Sequence, residues 1–218
     1  MTEQSLSHAE LMDETYRYQR LIYDVTRRFF LLGRDHLINT LNPGKDARIL
    51  EVACGTGRNL AMISKRYPDC ALYGLDISDE MLRTARDKLG LRATLVKADA
   101  CKFEAEQMFG TVQFDRIILS YSVSMIPDWQ AALETAVRHL SPGGQLHVVD
   151  FGDQSGLPLW FRSILLRWLA KFHVAPRVDL TAVLAEIATK QGGKVVCHGR
   201  LRGYVQHGVL TKAIKQRL

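Results

Sequence analysis

The sequence predicts an α/β fold in which buried strands alternate with helices. Residues 48–60, Arg-Ile-Leu-Glu-Val-Ala-Cys-Gly-Thr-Gly-Arg-Asn-Leu, have the pattern of a short apolar strand, a glycine turn and the first turn of a helix. Two further apolar stretches, 72–78 and 93–99, each carry an acid at the end of the predicted strand. Loops at the carboxyl ends of strands line the ligand crevice in open α/β sheets. The three stretches therefore predict a ligand-binding corner at one edge of the sheet.

The glycine turn favours a cofactor without phosphate groups. Gly55 and Gly57 lack a Cβ atom, so a ligand can approach the main chain closely. A dinucleotide site has a third glycine in the pattern G-x-G-x-x-G, but Leu60 occupies that place. Glu51, four residues before the first glycine, would repel a phosphate and attract an ammonium group. This combination fits S-adenosylmethionine, which has an amino-acid end and no phosphate.

Acids at the ends of the next two strands complete the predicted site. Asp76 is in position to accept hydrogen bonds from both ribose hydroxyls, as acids do at this place in nucleotide-binding sheets. Asp99 ends the third strand, where a side chain can meet the exocyclic amine of adenine. A lone G-x-G turn is often only structural. The prediction therefore depends on finding acids at three successive strand ends.

Residues 45–210 resemble the class I S-adenosylmethionine-dependent methyltransferases. The resemblance implies a Rossmann-like sheet of seven strands, parallel except for the last strand, with helices on both faces. It divides the chain into an N-terminal helical lid or membrane-contact extension, 1–44, and a cofactor-binding domain, 45–218. The helix start at Arg58 is more polar than in many relatives, which makes Arg58 a candidate contact for the carboxylate end of the cofactor. The expected cofactor contacts are Glu51, Ala53, Gly55, Gly57, Arg58, Asp76, Ile77, Asp99, Ala100 and Ser120.

The composition is typical of a globular protein with an anionic partner. The 218 residues are enough for one ordinary domain, and 47% of them are hydrophobic. The net charge of +6 indicates an anionic partner without separating nucleic acid from a membrane surface. No run reaches transmembrane length and the N-terminus has no signal pattern, so we expect a cytoplasmic protein. The four cysteines form no C-x-x-C pair, so we expect neither a metal site nor a disulfide framework.

Periodicity and turn residues predict the other elements. A helical pattern covers 10–41 with a bend at Gly33, and a loop is expected to run through Phe109-Gly110. The turn cluster Ser141-Pro-Gly-Gly144 is expected to close one helix before the fifth strand. The other predicted helices cover 58–67, 78–90, 129–139, a stretch within 157–177, and 180–189, and the other strands cover 114–119, 145–150, 194–198 and 203–210.

Two basic aromatic stretches have the pattern of helices that lie in a membrane surface. Residues 16–34 contain five arginines and one acid. Residues 157–177 contain two tryptophans and no acid, and Arg162, Arg167 and Lys171 are interleaved with the apolar residues. The apolar residues that fall on one helical face are Phe161, Ile164, Leu165, Trp168, Leu169 and Phe172. Two alternatives stay open: the first stretch is a lid with solvated arginines, and the second packs against that lid or a dimer partner.

The loop after the fourth strand, 120–128, is expected to face the transferred methyl group. It lacks the Asn/Asp-Pro-Pro-Tyr signature of enzymes that methylate planar amide or base nitrogens. The nucleophile is therefore expected to be a flexible amine, a phenol or a carbon.

Four residues are candidates for catalytic roles. Asp150, at the tip of the fifth strand, could assist loss of an amine proton through a water, as could a tyrosine. Tyr18, Tyr23 and Tyr121 could form an aromatic wall for a product with a fixed positive charge. Tyr18 and Tyr23 are candidates because N-terminal lids of the resembled family often place a tyrosine over the reacting methyl. His147, on an apolar strand, is interpreted as a satisfied core histidine.

Stretches 16–35, 120–129 and 147–153 are similar to the N-methyltransferases of bacterial betaine-lipid synthesis, which convert diacylglyceryl-homoserine to its trimethylated form. The resemblance implies a lipid substrate at an anionic membrane surface and a peripheral protein on the inner face of the membrane. It leaves the oligomeric state open. The nearest alternative is a phosphatidylethanolamine N-methyltransferase, and a small-molecule methyltransferase is a further one.

Two alternatives belong to other functional classes. A non-catalytic cofactor-binding protein would keep the same glycines and acids. A nucleic-acid methyltransferase is disfavoured, because the basic residues border aliphatic and tryptophan-rich helices, so no nucleic-acid partner is expected.

Overall fold

The computed structural model describes residues 31–214. Most of the predicted N-terminal helix, with Tyr18 and Tyr23, lies outside this range, so the lid and the division at residue 44 stay predictions. The helices are α1 (Arg34–Thr40), α2 (Arg58–Arg66), α3 (Asp79–Leu89), α4 (Ala105–Phe109), α5 (Trp129–Arg138), α6 (Leu159–Ala170) and α7 (Leu180–Lys190). The strands are β1 (Arg48–Val52), β2 (Ala71–Asp76), β3 (Ala93–Lys97), β4 (Phe114–Ser120), β5 (Leu140–Phe151), β6 (Lys194–Arg200) and β7 (Val205–Thr211). None of the helices in the described range has the length and hydropathy needed to cross a membrane.

The seven strands form one sheet in the order β3-β2-β1-β4-β5-β7-β6. Neighbouring strands from β3 to β5 pair in parallel. Strand β7 pairs antiparallel with both β5 and β6. The predicted topology, parallel except for the last strand, is confirmed. The strand order reverses between β1 and β4, where sheets of this type open a crevice at the carboxyl ends of the strands.

Helices cover both faces of the sheet, which explains why its central strands bury apolar side chains on both faces. In β1, Ile49 and Leu50 are both fully buried although their side chains point to opposite faces. Leu50 belongs to the core that includes residues of α5 and α7. Ile49 belongs to the core that includes residues of α1, α2, α3 and α6. The sheet therefore holds the ends of β1 and β4 rigidly between two cores.

Capping residues begin and end the helices beside the crevice. The Ser78 side chain accepts a hydrogen bond from the Met81 N–H at the start of α3, and Gly90 caps its end. The Asp128 side chain accepts one from the Ala131 N–H at the start of α5. The predicted start and stop of α3 are thus confirmed.

The structure differs from the sequence prediction at two places. Residues 105–109 form the short helix α4, which the sequence interpretation assigned to a loop. Strand β5 begins at Leu140 and includes the predicted turn cluster 141–144. The pairing of β4 with β5 changes register between Phe114 and Arg116, which accommodates the glycines of that cluster as an irregularity of the strand.

Candidate active site

The turn between β1 and α2 contains two glycines in the left-handed region of backbone conformation. Gly57, the N-cap residue of α2, has a φ of 69°. A Cβ atom at this residue would lie 2.8 Å from Leu89 Cδ1 and 3.1 Å from Ala85 Cβ. Gly55 has a φ of 54°. The absence of side chains lets α3 pack directly against the turn.

Asp76 ties this turn to the end of β2. Its Oδ2 accepts a hydrogen bond of 2.7 Å from the Gly55 N–H, and its Oδ1 accepts one of 3.0 Å from the Ser78 N–H. The residue is 7% exposed and forms part of the cavity wall beside the turn. The same carboxylate therefore fixes the glycine turn and presents charge to the cavity.

The cavity has a volume of about 370 Å³ and lies at the carboxyl ends of β1, β2 and β3. Five of the ten predicted cofactor contacts line it: Ala53, Asp76, Ile77, Asp99 and Ala100. The other five lie outside its lining: Glu51, Gly55, Gly57, Arg58 and Ser120. The structure thus brings together the predicted residues that follow β1, β2 and β3.

Sequence reasoning missed several residues of the cavity wall. Cys101 and Lys102 follow Ala100 in the cavity wall. The sequence interpretation placed Cys101 on or beside the cofactor pocket, whereas it did not single out Lys102. The segment 126–128 closes the cavity from the loop after β4, which was predicted to line a crevice on position alone. The Cys101 Sγ contacts the backbone oxygen of Asp128 at 3.3 Å. This contact joins the β3 and β4 sides of the cavity.

Ala53 is the cavity residue with an unusual backbone. It follows β1, has a φ of 54° and lines the cavity. For a residue with a Cβ atom this region costs about 1–2 kcal/mol. Because an alanine side chain is small, it occupies little of the cavity beside the glycine turn.

Glu51 is buried behind the turn with one oxygen satisfied. Its Oε1 accepts a hydrogen bond of 2.7 Å from Asn59 Nδ2. Its Oε2 is buried and has no hydrogen-bond partner among residues 31–214. Burial raises the pKa of Glu51 to about 7, although the Asn59 hydrogen bond and the Arg34 cation favour the charged form. The free oxygen matches the donor that a cofactor ammonium group would provide.

Arg58 reaches toward α1. Its Nη2 lies 2.9 Å from Asp35 Oδ1, and its Nη1 donates a hydrogen bond of 3.2 Å to Asn59 Oδ1. The pair is half-exposed, with side-chain exposures of 35% for Arg58 and 65% for Asp35. A contact between Arg58 and the cofactor carboxylate stays a prediction.

Asp150 holds the loop after β4 against the tip of β5. Its Oδ2 accepts a hydrogen bond of 3.1 Å from the Ser124 N–H, and its Oδ1 accepts one of 2.7 Å from the Phe151 N–H. The residue is fully buried, which raises the pKa of its carboxyl to about 6. These two hydrogen bonds indicate that Asp150 positions the backbone of Ser124 and Phe151. Ser120, in the same region, has a buried hydroxyl without a partner among the described residues.

Tyr121 is part of the core between the sheet and α1. Its hydroxyl donates a hydrogen bond of 2.5 Å to the Leu32 oxygen, and its ring lies 4.8 Å from that of Phe151, centroid to centroid. The residue is 2% exposed, and burial raises the pKa of its hydroxyl well above the usual value. Tyr121 is not among the residues that line the cavity. Its predicted role at the methyl acceptor stays a prediction.

His147 is a core histidine, but it is not fully satisfied. It is 1% exposed, and burial, together with the neighbouring His207 and Arg116, lowers its pKa to about 3. Its Nε2 contacts Gln145 Oε1 at 3.3 Å, whereas its Nδ1 has no hydrogen-bond partner in the described chain. A neutral, buried ring of this kind does not serve as a base near pH 7. Within the described range, no three histidine, cysteine or acidic residues group as a metal ion would require.

The central part of the chain is similar to known methyltransferases. Residues 49–144 match a family model described as a methyltransferase domain. A demethylmenaquinone methyltransferase from Listeria monocytogenes is 27% identical over 145 residues, which cover 66% of this chain and 60% of the relative. A ubiquinone/menaquinone biosynthesis C-methyltransferase from Bordetella parapertussis is 29% identical over 161 residues, which cover 68% of this chain and 61% of the relative. The chain thus spans about three fifths of the length of these relatives.

A solved structure extends the likeness over nearly the whole chain. The phospholethanolamine N-methyltransferase 2 of Haemonchus contortus, in complex with phosphomonomethylethanolamine and S-adenosylhomocysteine, superposes with a TM-score of 0.71. The match covers 99% of this chain and 62% of the other at 15% identity. At this identity the likeness shows the shared fold.

Proposed function

We propose that this chain is an S-adenosylmethionine-dependent methyltransferase that methylates the amine of a lipid head group. The match of residues 49–144 to a methyltransferase domain and the similarity to named methyltransferases support the activity. S-adenosylmethionine is the cofactor of this domain. The most specific form of the proposal is the conversion of diacylglyceryl-homoserine to its trimethylated betaine lipid.

The cavity beside Asp76 and Asp99 supports the proposed cofactor position most directly. An adenosine group offers two ribose hydroxyls and an exocyclic amine as donors, and ionised carboxylates can only accept. The apolar wall formed by Ala53, Ile77 and Ala100 suits the flat face of a base. We place the amino-acid end of the cofactor toward Glu51, whose buried Oε2 has no hydrogen-bond donor within residues 31–214.

The bound cofactor supplies a methyl group on a positively charged sulfur. The protein's proposed contribution is to hold the acceptor in line with that methyl, which can lower the barrier by on the order of 7–11 kcal/mol. Asp150 supports this arrangement by fixing the loop at Ser124 through its hydrogen bond. An acceptor ammonium must lose its proton before transfer, and a water between the acceptor and a nearby acid can take it.

We propose a lipid amine as the acceptor because the protein combines a basic net charge with exposed apolar side chains on α6. The chain carries a net charge of +6, α6 exposes aliphatic and tryptophan side chains, and the segment after α6 is hydrogen-bonded to the loop after β4. The similarity of stretches 120–129 and 147–153 to betaine-lipid enzymes supports the same acceptor. We further propose that the protein reaches this acceptor as a peripheral protein at an anionic membrane surface.

A quinone precursor is the second candidate acceptor. The names of the relatives from Listeria and Bordetella specify demethylmenaquinone and quinone C-methylation. A ring carbon acceptor would also enter from a bilayer. It differs from an amine because the product gains no positive charge.

Labelled cofactor distinguishes these acceptors. The protein is incubated with S-adenosylmethionine labelled on its methyl group and vesicles that contain diacylglyceryl-homoserine, phosphatidylethanolamine or demethylmenaquinone, each in a separate reaction. Label in extracted diacylglyceryl-homoserine supports the proposal, and label only in the quinone replaces it with C-methylation. Cofactor binding without label in any lipid or small amine would indicate a non-catalytic cofactor-binding protein.

A further inference from the structure

Helix α6 exposes an apolar face although its other side is anchored in the core. Leu165 and Leu169 are buried and hold the helix against the sheet. Leu159, Trp160 and Ile164 are 78%, 68% and 52% exposed. A tryptophan and two large aliphatic residues clustered on a single helix form a patch of the kind that marks an interaction surface.

The charged residues of the segment that carries this patch are all basic. The segment 154–178 contains no aspartate or glutamate, and the exposed Arg167 and Lys171 continue the face of Trp160 and Ile164 by one and two helical turns. We propose that this exposed face of α6, defined by Leu159, Trp160, Ile164, Arg167 and Lys171, docks on an anionic lipid bilayer. Below it is called the α6 face.

A bilayer fits the α6 face better than a second copy of this chain. A two-fold symmetric contact would place the same patch on both subunits, so Arg167 and Lys171 would face like charges without an acid from the segment 154–178. An anionic membrane instead offers negative head groups to the cations and an acyl boundary to the apolar side chains. Tryptophan is enriched at that boundary because its ring is apolar and its N–H is polar.

The segment after α6 is hydrogen-bonded to the loop after β4, which closes the cofactor cavity. The Ala175 N–H donates a hydrogen bond of 2.9 Å to the Ser124 oxygen. The Arg177 Nε donates one of 3.1 Å to the Val123 oxygen, and its Nη2 donates one of 3.0 Å to the Ile126 oxygen. Docking of the α6 face would therefore bring the loop after β4 to the membrane. This second step rests on the proposed methylation of a lipid, whereas docking itself does not.

Vesicle flotation tests the α6 face without requiring turnover. The full chain is mixed with vesicles of phosphatidylcholine alone or of phosphatidylcholine with phosphatidylglycerol. Two variants remove the apolar and the cationic parts separately: Trp160→Ser with Ile164→Ser, and Arg167→Glu with Lys171→Glu. The matched control is Lys45→Glu with Arg92→Glu, which makes the same charge change at exposed residues before β1 and β3.

We expect wild type and the control to float with the anionic vesicles, and each α6 variant to bind at least about tenfold more weakly. Cofactor affinity, measured in parallel, should be the same in all four proteins and shows that they are folded. Equal flotation of wild type and both α6 variants would overturn the proposal, as would a wild type that floats with neither vesicle. Sedimentation adds one more overturning result: an α6 variant that dissociates a dimer but still binds vesicles. Lipid binding that depends on the α6 face, without methylation of any lipid, would keep the docking surface and remove the proposed function.

Discussion

The carboxylate of Asp76 accepts a hydrogen bond of 2.7 Å from the backbone N–H of Gly55, so the end of β2 holds the glycine turn that follows β1. The turn and the cavity wall therefore share one acid. Loss of that acid affects both the shape of the site and its charge.

We expect Asp76→Ala to weaken cofactor binding by about 10- to 100-fold, because hydrogen bonds to charged groups contribute about 1.5–3 kcal/mol. The same change should lower the free energy of unfolding, since the Gly55 and Ser78 amides lose their acceptor. Titration calorimetry and urea unfolding measure the two effects. Asp76→Asn, which keeps one acceptor oxygen, should fall between wild type and Asp76→Ala. A folded Asp76→Ala protein with the wild-type dissociation constant would remove Asp76 from the cofactor site.

Glu51 should make cofactor affinity depend on pH. Burial raises the pKa of its carboxyl from 4.5 to about 7, and a bound ammonium would favour the charged form and lower that pKa again. Binding below pH 7 must therefore release a proton, and affinity should weaken by up to about tenfold per unit as the pH falls from 7 to 5. Calorimetry between pH 5 and 7 measures this slope.

Glu51→Gln is the matched control, because it keeps the shape of the side chain and cannot titrate. It should bind more weakly at pH 7 and lose the slope between pH 5 and 7. In the cofactor-free protein, Glu51 makes folding stability change with pH in the opposite direction from cofactor affinity. Because the pKa of this acid is raised in the folded state, its contribution to stability is complete below pH 4.5 and is lost as the pH rises through about 7. A wild-type affinity that is constant over this range would show that Glu51 does not meet the ammonium.

Ala53 should tolerate glycine and reject valine. Ala53→Gly relieves about 1–2 kcal/mol of left-handed backbone cost, but it adds about 0.4–1 kcal/mol of entropy to the unfolded chain. Its unfolding free energy should therefore stay within about 1 kcal/mol of wild type. Ala53→Val puts a β-branched side chain at a φ of 54° beside the cavity and should weaken both stability and cofactor binding. Wild-type affinity in the valine variant would contradict the placement of the cofactor in this cavity.

Two substitutions at Tyr121 separate packing from a role at the acceptor. Tyr121→Phe removes the hydrogen bond to the Leu32 oxygen and should cost about 0.5–1.5 kcal/mol of stability. Tyr121→Ala should cost about 3–5 kcal/mol, as for other large aromatic residues in a core. Turnover is then compared with cofactor affinity at a temperature where both variants are folded. A lower kcat in Tyr121→Phe with unchanged affinity would support a contact with the methyl acceptor, and full activity of folded Tyr121→Ala would exclude it.

Buried histidines should destabilise the protein in mild acid. Burial lowers the pKa of His147 to about 3 and that of His207 to about 4, from 6.5. The cations Arg116 and Arg200 and the ring of His36 face these histidines and also oppose their protonation. Below pH 6.5 the unfolded chain binds protons at these two histidines that the folded chain does not, so their contribution to stability should fall as the pH drops from about 6.5 toward 4. The buried acids Glu51 and Asp150, whose pKa values are raised, contribute in the opposite direction, so the effect of the histidines is measured as the difference between wild type and a histidine variant.

Thermal unfolding between pH 7.5 and 5 measures this effect. The double variant His147→Gln with His207→Gln should lose part of the pH dependence. An identical pH profile in wild type and variant would show that other groups control acid unfolding.

The sequence predicts the strand ends of this site well because they depend on local patterns. Buried parallel strands are apolar runs, and the acids Glu51, Asp76 and Asp99 stand out at or near their ends. The direction of a strand then places the following loop at the carboxyl edge of the sheet. For this reason the sequence alone predicted that Asp76 and Asp99 lie at the same edge of the sheet, where both line the cavity. Their contacts with a cofactor stay predictions.

The partners of these residues depend on tertiary contacts that no local pattern reveals. Nothing in the sequence indicates that Cys101 meets the Asp128 backbone, or that Asp35 pairs with Arg58. Tyr121 follows β4 in a loop that was expected to face a ligand, yet the packing of residues 31–41 against the sheet buries its ring. The glycines at 143 and 144 predicted a turn, but they lie within β5, where the pairing with β4 changes register.

The strand that completes the interior of the sheet is also the last strand of the described chain to leave the ribosome. Strand β7 lies between β5 and β6, so both lack a neighbour until residues 205–211 have been synthesised. A nascent chain stalled before Val205 would expose the β5 edge, including the fully buried Val148 and Val149, to chaperones or to other nascent chains. A stop codon shortly before Val205 would thus remove a strand from the interior of the sheet.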